Sequence, residues 1–222
     1  MTARESINPA IPTLQKSFAV EKALHWMDEF SIDQLPMVEA QTYLGLVKRG
    51  SLEMAEEDEI LTLSTVALDH PEVYASENQH FLEAIAIACE CSLDIVPVLS
   101  HDKKYVGAIS VREASMTIAR LFAVHTKGSI FTLSVDSIHY SLAEISRIVE
   151  ANNARVLSSF VELDKDTPHR LFVTLKVNTT ELRFILASFE RFNYKVIAQY
   201  HDQPIEDGTK ERLGMLLKYL EM

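Results

Sequence analysis

Ser31-Ile32-Asp33-Gln34-Leu35-Pro36-Met37-Val38, followed by Tyr43-Leu44-Gly45-Leu46-Val47, decides the fold because the chain contains it twice. The second copy is Ser92-Leu93-Asp94-Ile95-Val96-Pro97-Val98-Leu99, followed by Tyr105-Val106-Gly107-Ala108-Ile109. The offset is 61 residues before the turn and 62 after it, as a hairpin loop one residue longer requires. Upstream, Glu21-Lys22-Ala23-Leu24 lines up with Leu82-Glu83-Ala84-Ile85 at the same offset of 61.

Each copy has one mechanical plan. Val20, Ala23, Leu24 and Met27, and then Phe81, Ala84, Ile85 and Ala88, carry the spacing of one apolar helix face. A short apolar strand with the proline follows, and proline predicts a strand end or edge because it cannot donate to a ladder. Polar residues turn the chain at Glu39 to Thr42 and at Ser100 to Lys104. A second strand runs through the glycine, which allows close backbone approach or relieves a tight bend. The acidic run Glu53 to Glu59 between the copies reads as a solvated linker or helix start. The second copy ends in a helical stretch from Ala114 to Phe122.

A different rhythm begins near Gly128. Phe131, Leu133 and Val135 alternate with polar residues as in a strand. Leu142, Ile145 and Val149 have helical spacing, and Val156 to Leu163 is β-prone. Asp164 to Pro168 makes a turn, and Leu171, Val173, Leu175 and Val177 alternate again. Leu182, Ile185, Leu186 and Phe189 form a second helical face, and Tyr194 to Tyr200 closes with a strand. The order βαββαβ predicts a ferredoxin-like four-stranded antiparallel sheet with both helices on one face. The expected class is therefore α/β in the first part and α+β in the second. A last amphipathic helix is expected over residues 205–222, with its stripe at Leu213, Leu216, Leu217 and Leu220.

Composition narrows the function classes. The net charge is −11, with −10 of it in residues 1–122 (9 basic, 19 acidic). An acidic front half repels phosphate backbones and anionic lipid, so nucleic-acid and membrane partners are disfavoured. No run reaches the ~18 apolar residues of a membrane helix. The N-terminus lacks the basic start and apolar core of a signal peptide, so a cytoplasmic location is expected. Cys89 and Cys91 lie two apart in a helical pattern and point to different faces. They read as small core-filling residues in a reducing compartment rather than as a disulfide or metal pair.

The first 122 residues resemble a tandem pair of CBS domains, the module named for cystathionine β-synthase, with copies at about 8–52 and 70–122. The motifs are h-P-h-h (h for apolar) in the first strand and G-h-h-[ST]-x-x-[DN] after it. That resemblance implies two clefts that take adenosyl ligands such as AMP, ADP, ATP or S-adenosylmethionine. The motif hydroxyl would meet phosphate or ribose, and the acid the ribose hydroxyls. A carboxylate suits adjacent O–H donors well. In the second copy these are Ser110 and Glu113, after Gly107, with Ile95 and Tyr74 near the strands that would line the cleft. Ser110-x-x-Glu113 is also a helix capping box, and the two roles are compatible. The first copy has Lys48 in the hydroxyl position and Ser51 in the acid position, so its cleft reads as degenerate. Lys48 reads as a solvated lysine, with a phosphate contact as the alternative.

Residues 123–204, and within them 128–201, resemble an ACT domain, a βαββαβ module of amino-acid metabolism. Its ligand loop, D-R-x-G-x-L-x-x-I, matches Asp136, Leu142 and Ile145 with one extra residue and without the glycine. The resemblance implies an amino-acid effector at this loop, with Asp136, His139 and Ser141 as contacts. Ser141 alternatively caps the helix.

No G-x-G-x-x-G, P-loop, G-x-S-x-G or H-E-x-x-H pattern occurs, and the eight histidines are scattered. The expectation is a non-catalytic regulatory homodimer that needs no cofactor, senses an adenosyl or amino-acid effector and signals to a protein partner. The alternatives are a ligand-free dimerisation or protein-interaction scaffold, and an enzyme whose site is assembled from distant residues.

Overall fold

The computed structural model describes residues 1–201, and the expected helix over 205–222 lies outside them. The fold is mixed α/β and divides into two compact units, Met1–Ile118 and Ala119 onward. The division falls a few residues before the boundary expected at 122. Residues after 118 fasten to the second sheet: Ser158 Oγ donates to the Phe122 carbonyl, Lys176 Nζ to the Val124 carbonyl, and the Phe122 ring meets Phe160 edge-on.

In the first unit each copy runs helix, strand, strand, helix. The elements are α1 (Val20–Phe30), β1 (Gln34–Glu39), β2 (Thr42–Lys48) and α2 (Arg49–Glu57), then β3 (Ala75–Ser76), α3 (Phe81–Cys91), β4 (Ile95–Leu99), β5 (Tyr105–Ser110) and α4 (Val111–Leu121). Of the helical faces read from the sequence, Val20, Ala23 and Met27 in α1 and Phe81, Ala84 and Ala88 in α3 are buried, while Leu24 and Ile85 are partly buried. Ser31 and Ser92 end these helices in the left-handed conformation, at φ 52° and 54°. Ala40 and Gln41, both at positive φ, make the tight β1–β2 turn.

Several local expectations need correction. The acidic run after Gly50 is not a linker, because Arg49–Glu57 is a helix held by buried Leu52 and Ala55. The second copy's last helix starts at Val111, not Ala114. Cys89 is exposed rather than core-filling, while Cys91 is partly buried against the core. Pro97 is not on an edge strand, since β4 lies between β3 and β5. The parallel pairing with β3 begins one residue later, at Val98, so no ladder bond asks for the missing N–H.

The two copies exchange their starts. Leu14 bridges Met37 in parallel on β1, as Ala75 pairs with Val98 on β4. Asn8, at the start of copy one, bridges Ala108 on β5 of copy two, while Asp69, at the start of copy two, bridges Leu46 on β2 of copy one. The repeated glycines exist for these crossings. A Cβ on Gly107 would lie 2.4 Å from Ile7 Cγ2, and one on Gly45 would lie 3.0 Å from the Asp69 carbonyl and 3.1 Å from Leu68 Cβ. Close approach, rather than a bend, is therefore the reason for glycine at both places. Between the copies, the Asp33 N–H donates to Asp94 Oδ2 across 61 residues, while within copy one Arg49 Nε donates to Asp33 Oδ1.

In the second unit β6 (Ser129–Asp136), α5 (Leu142–Ala151), β7 (Val156–Leu163), β8 (Arg170–Val177), α6 (Arg183–Arg191) and β9 (Lys195–His201) follow the order read from the sequence. The sheet order is β7-β8-β6-β9, antiparallel throughout. Phe131, Leu133, Val135, Val173, Leu175 and Val177 share one core with Ile145, Ile148, Val149, Ile185 and Phe189, so both helices cover the same face. Among the described residues no helix is long and apolar enough to cross a membrane.

Candidate functional site

The motif end of β5 and the start of α4 form one wall of a cleft of about 260 Å³ in the first unit. Ser110 and Glu113 both line it, with Asn8, Arg112 and an apolar side made of Ile11, Phe30, Ile32 and Met116. Ser110 is nearly buried, and its Oγ accepts the Glu113 N–H at 3.4 Å. That is half a capping box. The other half is missing because Glu113 turns its carboxylate to Asn8, whose Nδ2 donates to Oε1 at 2.7 Å. Asn8 Oδ1 meanwhile accepts the Ala10 N–H at 2.8 Å, which fixes the amide's orientation. The cleft thus offers a hydroxyl, a carboxylate and a guanidinium beside an apolar wall.

Three expected site residues take other places. Gly107 does not line the cleft, because Ile7 fills the space above it. Ile95 is fully buried in the core, and Tyr74 packs against that core. Asn8, Ile11, Phe30, Ile32, Arg112 and Met116 escaped the sequence reading. Asn8 was reachable in principle, since it stands 61 residues before Asp69, the start of the second copy.

The corresponding place in copy one holds an ion pair instead. Lys48 Nζ sits 3.5 Å from Asp69 Oδ1, so the lysine read as solvated is ion-paired, with both side chains 40% exposed. Such an exposed pair contributes little to stability, but it occupies the cation that a phosphate would need.

A second cavity, about 450 Å³, lies in the other unit and gathers Ser134, Asp136, His139, Glu144 and Tyr194. Asp136 and His139 come together as expected. Asp136 Oδ1 is engaged in a local turn, accepting the Ile138 N–H at 3.1 Å. Ser141 does not line the cavity: its Oγ caps α5 by accepting the Glu144 N–H at 3.3 Å. Glu144 and Tyr194 were not foreseen. The Tyr194 hydroxyl donates to Glu144 Oε2 at 2.8 Å. Burial first, and then the adjoining carboxylate, push the phenol up to about 12. Tyr194 therefore stays a neutral donor across the physiological range. No group of three or more His, Cys, Asp or Glu among the described residues converges as a metal site.

The first unit combines a repeated helix–strand–strand–helix plan, motif glycines at the crossings and exchanged starts. Residues 1–118 resemble a CBS domain pair. No protein family model matches the chain. Among solved structures it is similar to a CBS domain pair/ACT domain protein from Thermotoga maritima, at 18% identity and a TM-score of 0.47, over 54% of this chain and 98% of that one. It is also similar to CBSX2 in complex with AMP, at 18% identity and a TM-score of 0.44, over 54% of this chain and 98% of that one. A CBS domain pair in complex with 5′-methylthioadenosine and S-adenosyl-L-methionine matches at 14% identity and a TM-score of 0.46, over 54% and 97%.

Proposed function

We propose that this chain is a non-catalytic cytoplasmic sensor whose cleft at Ser110 and Glu113 binds an adenosyl ligand: AMP, ADP, ATP or S-adenosylmethionine. The observation that carries the reading is the placement of a hydroxyl and a carboxylate at one helix start, facing an apolar wall made by Ile11, Phe30, Ile32 and Met116. A flat base suits the apolar side, and a ribose diol suits the carboxylate. Binding requires Glu113 to loosen its bond to Asn8 or share it, which ties occupancy to the N-terminal segment. A signal follows only if the ligand binds one arrangement of that segment more tightly than the other.

The second unit, ACT-like in its element order and sheet order, supplies dimerisation or a second, amino-acid effector at the cavity beside Asp136 and His139. Exposed Met54 and Met116, at equivalent places on α2 and α4, and exposed Phe160 and Tyr200 on the second sheet support self-association. The chain is expected to be a homodimer by light scattering at micromolar concentration, and a monomer there would defeat that part of the proposal.

The test of the sensor reading is a thermal-shift panel of AMP, ADP, ATP, S-adenosylmethionine, NAD and amino acids. A ligand at 100 times its Kd stabilises by about 2.7 kcal/mol, a rise of roughly 5–10 °C for a chain of this size. The expected result is a rise with an adenosyl compound that is lost in Glu113→Ala. A flat panel favours the second reading, a ligand-free interaction scaffold. The Asn8–Glu113 bond in one cleft and the Lys48–Asp69 pair in the other are the observations on its side.

A further inference from the structure

The cleft at Ser110 and Glu113 has two charged lining groups, and they differ in what engages them. Glu113 is held by Asn8. Arg112 is exposed, and among the described residues its guanidinium has no ion pair or hydrogen bond. The backbone repeats the pattern. At the start of α4 the Val111 N–H donates to the Asp94 carbonyl and the Glu113 N–H to Ser110 Oγ. The Arg112 N–H between them is left as the first-turn donor without a partner. An unengaged guanidinium beside an open amide at the N-terminus of an 11-residue helix is a favourable place for a phosphate. It is an unfavourable place for a cation.

The size of the cleft points the same way. About 260 Å³ lies below the ~300–1,000 Å³ usual for drug-sized ligands. A base, a ribose and one compact 5′ group match it better than a long substituent.

We propose that Arg112 is the specificity-determining residue of this cleft, selecting adenosyl ligands that carry a 5′-phosphate over those that carry a cation there, such as the sulfonium of S-adenosylmethionine. This rests on the adenosyl-binding reading given above and adds the choice among its ligands. The first copy has no counterpart, since Gly50 stands where Arg112 does and Lys48 is paired with Asp69. Selection therefore belongs to one cleft of the two.

Calorimetric titration of the full chain with adenosine, AMP and S-adenosylmethionine tests the proposal, with Arg112→Gln as the variant. The exposed position and glutamine's good helix propensity keep the fold intact. AMP is expected to bind about tenfold more tightly than adenosine, the strength of a charge-assisted contact. S-adenosylmethionine is expected to bind more weakly than either. In Arg112→Gln the ratio of AMP to adenosine affinity is expected to fall to about one, and in the native chain that ratio shrinks as salt is raised. Equal affinity for AMP and adenosine in the native chain, or an AMP advantage that survives Arg112→Gln, overturns the assignment while leaving the sensor reading standing. Failure of all three compounds to bind defeats the sensor reading itself, and this proposal with it.

Discussion

Phe81→Ala is expected to destabilise the first unit by about 3–5 kcal/mol, the cost of removing a buried aromatic ring from a packed core. Phe81 opens α3 and is fully buried. It belongs to a cluster that takes in Val20, Met27, Leu35, Ile95 and Ile109, so the cavity would lie in the one core that both copies share. Its counterpart in copy one is Val20, a smaller buried side chain. Those walls are strands and helices tied by backbone hydrogen bonds, which limits collapse into the void. Urea unfolding, with hydrogen exchange to localise the change to residues 1–118, measures the effect. A loss below about 1 kcal/mol would show that the site collapses freely, which this packing does not permit.

Gly128→Ala is expected to cost about 3–4 kcal/mol in the second unit, for a different reason. A Cβ built on Gly128 falls 1.9 Å from the Val177 carbonyl oxygen, a backbone atom of the neighbouring strand. Side chains can swing aside, but a paired strand cannot. Ser129 is in register with Val177, and the same end of β8 also pairs with β7. Relief therefore requires opening the sheet where two ladders meet. Gly50→Ala is the control: Gly50 lies inside α2, and an added Cβ meets nothing within 4 Å. That change is expected to stabilise by about 0.5–1 kcal/mol through helix propensity. Chemical denaturation of both variants gives the comparison. A Gly128→Ala chain as stable as the native one would mean that β6 and β8 do not approach as described.

The Ser-x-x-Glu sequences at the starts of α4 and α5 show how a local motif is redirected by its surroundings. Ser110 and Ser141 each accept the N–H three residues on, as a capping box requires. Neither glutamate completes its box. Glu113 goes to Asn8 and Glu144 to Tyr194, partners 105 and 50 residues away, and each glutamate thereby becomes part of a cavity wall. The sequence shows where such a helix begins. It does not show where a freed carboxylate goes, because a carboxylate takes whichever donor the tertiary fold presents.

The repeat, the two helical faces and the βαββαβ order were legible in the sequence because they depend on near neighbours. Apolar spacing of 3.6 or 2 marks an element's buried side, and Val20, Ala23 and Met27 or Phe131, Leu133 and Val135 obey it almost without exception. Ser110, Glu113, Asp136 and His139 were legible as a motif and a loop. The acidic run stayed open between linker and helix start, and the structure takes the helix; only Leu52 and Ala55 are buried there, too few for a visible stripe. What only the tertiary structure decided is the crossing of the two copies, through single bridges at Asn8 and Asp69 that have no periodicity. That crossing brings Asn8 to Glu113 and gives Gly107 to Ile7 rather than to a ligand. It also seats Ile11 and Ile32 of copy one against Ser110 and Arg112 of copy two. Local patterning thus named the elements and, in the cleft, Ser110 and Glu113. Asn8, Ile11, Phe30 and Ile32 came from chain segments far apart in sequence, where no short-range rule constrains which side chains meet.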